Sequence, residues 1–439
     1  MPRTHVIVGH GPAGAAAAEA IRARDPAAVI TIVGDEKVPF YSRPGLAYLL
    51  TGSIPERQLY SRSDESYRRS GIQRETARVD RLDADGHRIW LEDGRSVLYD
   101  RLLLAVGARA LRPQVPGIDL EGVVTLDNLE DARRILRLAK RARRAAVVGG
   151  GITALELAEG LAAQGVETHY LMRKDRYWGN VLEPEESALV QTRLVEEGVR
   201  LHGQLELIRV LDGRGRVSAI EVSGGRRWSC DLLAVAIGIQ PRLELARQAG
   251  LATQRGILTD EFFQTSAPDV YAAGDVAEVL DPSTGERVLD SLWSVAIEQG
   301  RAAGSNMAGA DEAYRRPPSF NVTRIGGVTT TVIGAVGSGR VDDDLVSLSR
   351  GDSESWREQA EAFAMISEAG ISRLRVLVGK ERIVGAVVMG DQTWSRPLQE
   401  LIRRRVDIRP VRELLLNRPG ELPAILQAIW KEAAGVGSV

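Results

Sequence analysis

The chain has 439 residues, a length that accommodates two or three domains of ordinary size. Its composition is 44% hydrophobic and 26% charged with a net charge of −2, which is typical of a soluble globular protein and gives no sign of a nucleic-acid-binding surface. The apolar runs are much shorter than a membrane span, and a strand pattern starts almost at the first residue. We therefore expect no membrane span, no signal peptide and a cytoplasmic location.

A single cysteine, Cys230, limits the redox chemistry that the chain can perform by itself. One thiol excludes an internal disulfide, an iron–sulfur cluster and a cysteine-built zinc site, and we expect no metal site. Cys230 lies in a strand-like run, where a free thiol usually packs as a small buried hydrophobe. A redox role for this thiol is the alternative.

A strand, a glycine loop and a helix open the chain in the pattern typical of dinucleotide binding. Gly9 ends the apolar strand and allows a tight turn, Gly11 lets a pyrophosphate approach the backbone, and Gly14 lets the helix pack on the strand. Pro12 and Ala13 stand at the start of the helix, whose exposed amides would hold the phosphates. We call the segment from Gly9 to Gly14 the first glycine loop and predict that it binds a dinucleotide.

The second strand of this unit, residues 29–33, is followed by two acids at about the distance from the loop that ribose recognition requires. An acid at this place accepts hydrogen bonds from the ribose hydroxyls of the bound nucleotide. We favour Asp35 and keep Glu36 as the second candidate. A solvated acid pair is the alternative.

The same pattern returns after a strand at residues 145–148. Gly149, Gly151 and Ala154 form the second glycine loop, and the next strand ends at Arg173 and Lys174 instead of an acid. An acid would bind the 2′-hydroxyl of NAD, whereas a guanidinium accommodates the 2′-phosphate of NADP. NADPH is therefore our preferred nucleotide. The alternative is that both cations face water and that NADH is accepted as well.

Two glycine loops in one chain indicate a resident flavin and an exchanging nicotinamide nucleotide. From residue 1 to about residue 310, the order of motifs resembles the FAD- and NAD(P)-dependent pyridine nucleotide oxidoreductases. The matching stretches are RLLLAVGA with Gly107, CDLLAVAIGIQP with Gly238, and TSAPDVYAAGDVAEV with Gly274 and Asp275. The resemblance implies that Asp275 binds the ribitol chain of FAD. We add Val79, Gly107, Gly238 and Gly274 to the expected cofactor contacts.

Two helices are assigned roles by the same resemblance. Residues 292–309 resemble the helix whose amino end faces the flavin pyrimidine ring, where amides stabilise negative charge on the reduced ring. Trp293 and Ala296 are the nearest candidates, although Trp293 fits a plain core position equally well. Glu156, in the helix after the second glycine loop, would position the nicotinamide carboxamide. A helix-dipole partner in the first turn is the alternative for Glu156.

The segment YSRPGLAY, residues 41–48, indicates the branch of the family. Branches that react through a cysteine have a motif like YSxCGLPY, whereas Pro44 cannot act as a nucleophile or form a sulfenic acid. Branches that serve rubredoxins, ferredoxins or a nitrite reductase centre have a motif like YxRPxLSK, which Arg43 and Pro44 match. The resemblance implies a flavin contact for Arg43. The lysine near the reactive flavin edge is replaced by Tyr48, which is a catalytic candidate beside Glu156.

We predict an α/β fold with two Rossmann-like dinucleotide-binding domains and a C-terminal α+β interface domain. The NAD(P) domain is inserted in the FAD domain. The expected boundaries are 1–113 and 244–315 for the FAD domain, 114–243 for the NAD(P) domain and 316–439 for the interface domain. A proline-rich segment, residues 314–320, marks the last boundary. The resemblance implies that the interface domain builds a homodimer.

The leading functional hypothesis is an FAD-dependent NAD(P)H oxidoreductase. Hydride would pass from the nicotinamide to flavin N5, and electrons would then reach an electron-carrier protein or a partner redox subunit without a cysteine relay. One alternative is direct reduction of a quinone or oxygen. The other is a flavin-bearing structural or regulatory protein with little turnover, which the loss of the lysine at Tyr48 would favour.

Overall fold

The computed structural model describes residues 2–282, 285–336, 363–369 and 372–433. The first unit begins with β1 Thr4–Val8, α1 Pro12–Arg24, β2 Val29–Gly34, β3 Phe40–Tyr41, α2 Leu46–Leu50, β4 Tyr60–Arg62, α3 Asp64–Arg69, β5 Ile72–Thr76, β6 Val79–Asp83, β7 Arg88–Leu91, β8 Ser96–Leu98, β9 Arg101–Leu104 and β10 Ala108–Ala110. The second unit contains β11 Val123–Val124, α4 Leu129–Ala139, β12 Arg144–Gly149, α5 Ile152–Ala163, β13 Glu167–Leu171, α6 Pro184–Glu196, β14 Arg200–His202, β15 Leu207–Asp212, β16 Val217–Val222, β17 Arg227–Ser229, β18 Leu232–Ala236 and β19 Ile239–Pro241.

The chain then returns to the first unit and ends in a third one. The returning elements are α7 Glu244–Gln248, β20 Ile257–Thr259, β21 Val270–Ala272, β22 Ala277–Leu280, β23 Arg287–Val288 and α8 Trp293–Met307. The third unit contains β24 Phe320–Ile325, β25 Val328–Gly334, β26 Phe363–Ala369, β27 Ser372–Val378, β28 Ile383–Met389, α9 Ser395–Arg403, α10 Arg412–Asn417 and α11 Leu422–Ala433.

A parallel sheet in the order β21-β9-β1-β2-β5 forms the centre of the first unit. Four of these strands precede the second unit in the chain, and β21 follows it. The second unit is therefore inserted in the first, as predicted. Helices α1 and α8 pack together over this sheet, so the two chain segments of the first unit share one core.

The second unit repeats the architecture with a parallel sheet in the order β11-β18-β12-β13-β14. The chain enters and leaves this unit through β10 and β19, which pair antiparallel. A small antiparallel sheet, β15-β16-β17, covers part of the unit and helps to bury Cys230, whose exposure is 3%. Burial raises the pKa of the Cys230 thiol to about 12.

The third unit is an antiparallel sheet in the order β24-β25-β28-β27-β26, against which α9 and α11 pack. Strands β27 and β28 form a hairpin around Gly379. This arrangement confirms the predicted α/β fold with a C-terminal α+β unit. Within the part of the chain that the structure describes, no helix has the length and apolarity that crossing a bilayer requires. The same residues contain no cluster of His, Cys, Asp or Glu that could hold a metal ion.

Candidate functional site

A cleft of about 1370 Å³ lies at the carboxyl ends of the strands of both parallel sheets. Ligands of open α/β sheets bind at this edge, and pockets for ordinary small ligands measure roughly 300–1,000 Å³. The cleft is therefore large enough for more than one ordinary ligand. Strands β24 and β25 of the third unit also contribute to its wall.

Most of the predicted site residues line this cleft. They are Gly9, Gly11, Pro12, Ala13, Asp35, Glu36, Arg43, Val79, Gly107, Gly151, Glu156, Gly238, Gly274, Asp275, Trp293 and Ala296. Gly14, Gly149 and Ala154 do not line the cleft, because they pack the glycine loops against the strands and helices behind them. Arg173, Lys174 and Tyr48 lie outside the lining.

The first glycine loop has the backbone shape that a phosphate cradle needs. Gly9 has a φ of +117°, and a Cβ there would lie 2.1 Å from the carbonyl oxygen of Ala105. A Cβ on Gly11 would meet nothing within 4 Å, so this position leaves the backbone open to a ligand. No side chain caps α1, and its first turn contains no acid. Its amide groups are therefore available to an anion such as a pyrophosphate.

The two candidate ribose acids have different surroundings. Glu36 is engaged on both carboxylate oxygens, since Oε1 accepts from Arg43 and Oε2 accepts from the Tyr41 hydroxyl over 2.7 Å. The Tyr41 oxygen in turn accepts from the Leu129 amide over 3.0 Å. Asp35 is exposed at the cleft. The arrangement supports Asp35 as the ribose ligand and gives Glu36 the role of orienting Arg43.

Asp275 and the start of α8 lie at the far side of the first glycine loop. Asp275 is half-buried, and burial raises the pKa of its carboxyl to about 6, with Arg43 opposing the shift. No side chain caps α8, and no acid occurs in its first turn. Trp293 is half-buried, lines the cleft and lies with its ring 5.9 Å from that of Phe40. Trp293 therefore packs partly in the core and partly forms a wall of the cleft.

The second glycine loop repeats this geometry. Gly151 precedes α5, which has no side-chain cap and no acid in its first turn. Ala154 is fully buried and packs under the loop. Glu156 faces the cleft from α5. Burial, followed by the neighbouring Glu159 carboxylate, raises the pKa of Glu156 to about 8. The raised pKa favours the neutral carboxyl, which can donate a hydrogen bond.

Three candidates lie outside the cleft lining. Arg173 and Lys174 are exposed immediately after β13, beyond the end of the cleft. Tyr48 is 37% exposed on α2 and does not line the cleft. The cause is helix geometry, because Leu46 of the same helix lines the cleft and Tyr48 follows about 200° further around the axis. We leave Tyr48 out of the proposed machinery.

Asp127 and Trp178 are among the cleft residues that the sequence did not lead us to predict. Asp127 accepts from the Ala110 amide over 2.6 Å through its carboxylate and from Arg43 through its backbone oxygen. Trp178, which follows Arg173 and Lys174 in the chain, also lines the cleft. The sequence around Asp127 carries no pattern typical of a nucleotide site. Trp178 ends the segment MRKDRYW, residues 172–178, and its place in the same segment as Arg173 and Lys174 was the signal that could have identified it.

The fold and the cleft define a flavoprotein with two dinucleotide sites. Residues 3–300 match the family described as "Pyridine nucleotide-disulphide oxidoreductase", and the chain belongs to this family. It is an FAD-dependent oxidoreductase that uses a nicotinamide nucleotide. The open backbone at Gly11 and the uncapped starts of α1 and α8 fit FAD. Membership in this family argues against a structural protein with little turnover.

The relatives cover most of the chain. It is 32% identical over 332 residues to an NADH oxidase from Methanocaldococcus jannaschii, with 73% of each protein covered. It is 34% identical over 358 residues to the biphenyl dioxygenase system ferredoxin–NAD(+) reductase component from Paraburkholderia xenovorans, covering 81% of this chain and 85% of that one. The reductase in the covalent putidaredoxin reductase–putidaredoxin complex is similar in structure, with a TM-score of 0.83, 25% identity, and coverage of 97% and 99%.

Proposed function

We propose that this protein takes electrons from NADPH and delivers them to an electron-carrier protein or a partner redox subunit. The observation that carries the proposal is a cleft with two uncapped glycine-loop helices and no thiol among its lining residues. The only cysteine of the chain, Cys230, is buried in the second unit. The ferredoxin reductase relative and the similarity to putidaredoxin reductase support a carrier protein as the acceptor.

The proposed FAD site belongs to the segments 1–113 and 244–315. When bound, FAD accepts a hydride from the reduced nicotinamide and passes electrons to the acceptor. The amides of α1 would hold the pyrophosphate, Asp35 the ribose and Asp275 the ribitol chain. Arg43 is held in place by Glu36 and by the backbone oxygen of Asp127, so it presents a fixed positive charge to the cleft.

The proposed nicotinamide-nucleotide site belongs to residues 114–243. The amides of α5 would hold its pyrophosphate, and the neutral carboxyl of Glu156 would orient the carboxamide by donating a hydrogen bond. Arg173 and Lys174 follow β13, where a 2′-phosphate would lie, and this supports NADPH. The names of the relatives point to NADH, so the choice of nucleotide needs a direct test.

Anaerobic titration of the FAD-loaded protein with NADH and NADPH separately tests the cofactor proposal. Flavin bleaching near 450 nm (about the value of any flavin) reports reduction. We expect a preference for NADPH of at least about tenfold, which corresponds to about 1.4 kcal/mol. A preference for NADH would show that Arg173 and Lys174 do not select the nucleotide.

A second candidate function, direct reduction of oxygen or a quinone, is favoured by the NADH oxidase relative. Steady-state nucleotide oxidation in air, with and without a quinone and with and without a ferredoxin, separates the two candidates. We expect slow turnover of the protein by itself and fast turnover with a carrier protein. Rapid turnover without a partner would establish the second candidate instead.

We also propose that residues 316–439 form a homodimer interface. Sedimentation equilibrium of the FAD-loaded protein would then give about twice the monomer mass of 47.7 kDa. A monomer at micromolar concentration would remove this part of the proposal.

A further inference from the structure

A buried ion pair joins the C-terminal sheet to the unit that contains the second glycine loop. Arg375 on β27 is 2% exposed and Glu186 on α6 is fully buried. The Arg375 guanidinium donates from Nε to Glu186 Oε1 over 2.8 Å and from Nη2 to Oε2 over 3.0 Å. A two-pronged pair of this kind fixes orientation as well as distance.

The same guanidinium also donates hydrogen bonds to two backbone oxygens of the cleft wall. Its Nη2 also donates to the backbone oxygen of Val181 over 2.7 Å, and its Nη1 donates to that of Val336 over 3.4 Å. Val181 and Val336 both line the cleft. Glu186 additionally accepts from the Glu183 amide over 2.9 Å, which ties the pair to the start of α6. The pair therefore connects α6, β27 and the cleft wall.

Trp178 lies shortly before Val181 in the chain and has an unfavourable backbone conformation. It is 4% exposed, lines the cleft and has a φ of +47°, a left-handed conformation that bulky residues rarely adopt. Such a residue costs about 1–3 kcal/mol and persists only where its surroundings hold it. The Trp178 amide donates to the oxygen of Gly150 over 3.3 Å, and its oxygen accepts from the Val181 amide over 2.9 Å.

We propose that the Arg375–Glu186 pair positions Trp178 and Val181 as a wall of the nicotinamide-nucleotide site. The C-terminal unit thereby sets the affinity for that nucleotide. This inference rests on the proposed assignment of the nicotinamide nucleotide to the second glycine loop. Arg375 does not line the cleft, so it acts as a positioning residue. Stability alone is a weak reason for the pair, because desolvation offsets much of the attraction between buried charges.

The test is calorimetric titration of the FAD-loaded protein with NAD⁺ and NADP⁺, which bind without reducing the flavin. In the double variant Arg375→Met/Glu186→Met the two paired charges are removed together, which usually preserves folding. The buried Arg373, 3.7 Å from Glu186, keeps the carboxylates of Glu183 and Glu185 within 4 Å as partners. We expect this variant to keep its FAD and its unfolding midpoint. We expect it to bind the preferred nucleotide at least tenfold more weakly than the unmodified protein does.

A control at a second ion pair, in which the carboxylate is buried and the Arg255 side chain is 53% exposed, is the double variant Arg255→Met/Glu278→Met. Glu278 is 1% exposed and accepts from Arg255 Nε and from the Gly256 amide, each over 3.0 Å. Neither residue of this pair lines the cleft. We expect nucleotide affinity within twofold of the unmodified protein, so that any loss in the first double variant reports the position of the pair.

Trp178→Gly tests the wall without touching the ion pair. Glycine adopts a φ of about +47° without strain, and this relief offsets part of the packing energy that is lost with the buried indole. Retained FAD and a cooperative unfolding transition show that the variant is folded. We expect a similar loss of affinity, and no further loss when this change is combined with Arg375→Met/Glu186→Met. Affinity within twofold of the unmodified protein in either variant, or additive losses, would overturn the inference. If the unmodified protein binds neither nucleotide, the proposed function itself is wrong.

Discussion

The two glycine loops have the same pattern but differ in what holds the helix behind them. Behind the first loop, α1 meets α8 backbone to backbone. A Cβ added at Gly300 would lie 2.1 Å from the Ala13 oxygen, and one at Gly304 would lie 2.4 Å from the Ala17 oxygen. Behind the second loop, α5 meets α2 through a side chain, since a Cβ at Gly160 would lie 2.7 Å from Leu50 Cβ.

This difference explains how one pattern can serve two kinds of ligand. The first loop is bordered by both chain segments of the first unit, because residues 105–110 and 273–275 line the same cleft. The second loop leads instead to the exposed Arg173 and Lys174. We infer that the first loop suits a resident cofactor and the second an exchanging nucleotide.

The most severe way to break the first site is to separate its two helices. Gly300→Val adds a side chain where even a Cβ overlaps the Ala13 backbone. Overpacking costs about 1–3 kcal/mol and more where backbone must move, so we expect a loss of at least about 3 kcal/mol in the free energy of unfolding. FAD should be lost with it. Denaturant unfolding and the flavin content of the purified protein measure both effects.

Arg301→Val is the control, because it places the same side chain at an exposed position of α8. We expect it to keep FAD and to change stability by less than about 1 kcal/mol. If Gly300→Val behaves like this control, the close α1–α8 contact does not hold the cofactor.

Asp275→Ala should have the next largest effect, and only on the first site. A hydrogen bond to a charged group contributes about 1.5–3 kcal/mol, so we expect FAD affinity to fall at least about tenfold. Equilibrium dialysis followed by flavin fluorescence measures this affinity. The exposed Asp85→Ala serves as the control. An Asp275→Ala protein that purifies fully yellow would remove Asp275 from the FAD site.

The sequence allowed us to predict the fold and the two glycine loops because these features depend on local spacing. Gly9, Gly149 and the acids near β2 are recognisable from the apolar strands beside them. The Arg375–Glu186 pair was not predictable, because its members are 189 residues apart and meet only when the third unit docks. Tyr48 was assigned by its place in a motif, whereas the turn of α2 directs it away from the cleft.

Arg173→Glu tests nucleotide selection at the second site. The change places a negative charge where the 2′-phosphate of NADPH would bind, so we expect NADPH affinity to fall at least about tenfold and NADH affinity to change less. Binding is measured by titration with NADP⁺ and NAD⁺. Arg141→Glu makes the same charge change at another exposed arginine of this unit and should affect neither. Equal losses for both nucleotides in Arg173→Glu would exclude a role in selection.

The pH dependence of the second site gives the smallest expected effect. The pKa of Glu156 is raised to about 8, first by burial and then by Glu159. As pH rises through about 8, the Glu156 carboxyl loses the proton that it would donate to the carboxamide. Loss of one hydrogen bond costs about 1 kcal/mol and should weaken NADP⁺ binding about fivefold. Titrations between about pH 6.5 and 9.5 measure this change, which Glu156→Gln should abolish and Glu159→Gln should shift to lower pH.

Protein stability provides an independent check on the same carboxyl. The unfolded chain releases this proton near the ordinary pKa of 4.5, whereas the folded protein keeps it until about pH 8. Stability contributed by Glu156 is therefore present at low pH and is lost as pH rises between these two values. Glu156→Gln should remove that slope from the free energy of unfolding. If the slope is unchanged in Glu156→Gln, the Glu156 carboxyl does not have a raised pKa in the nucleotide-free protein.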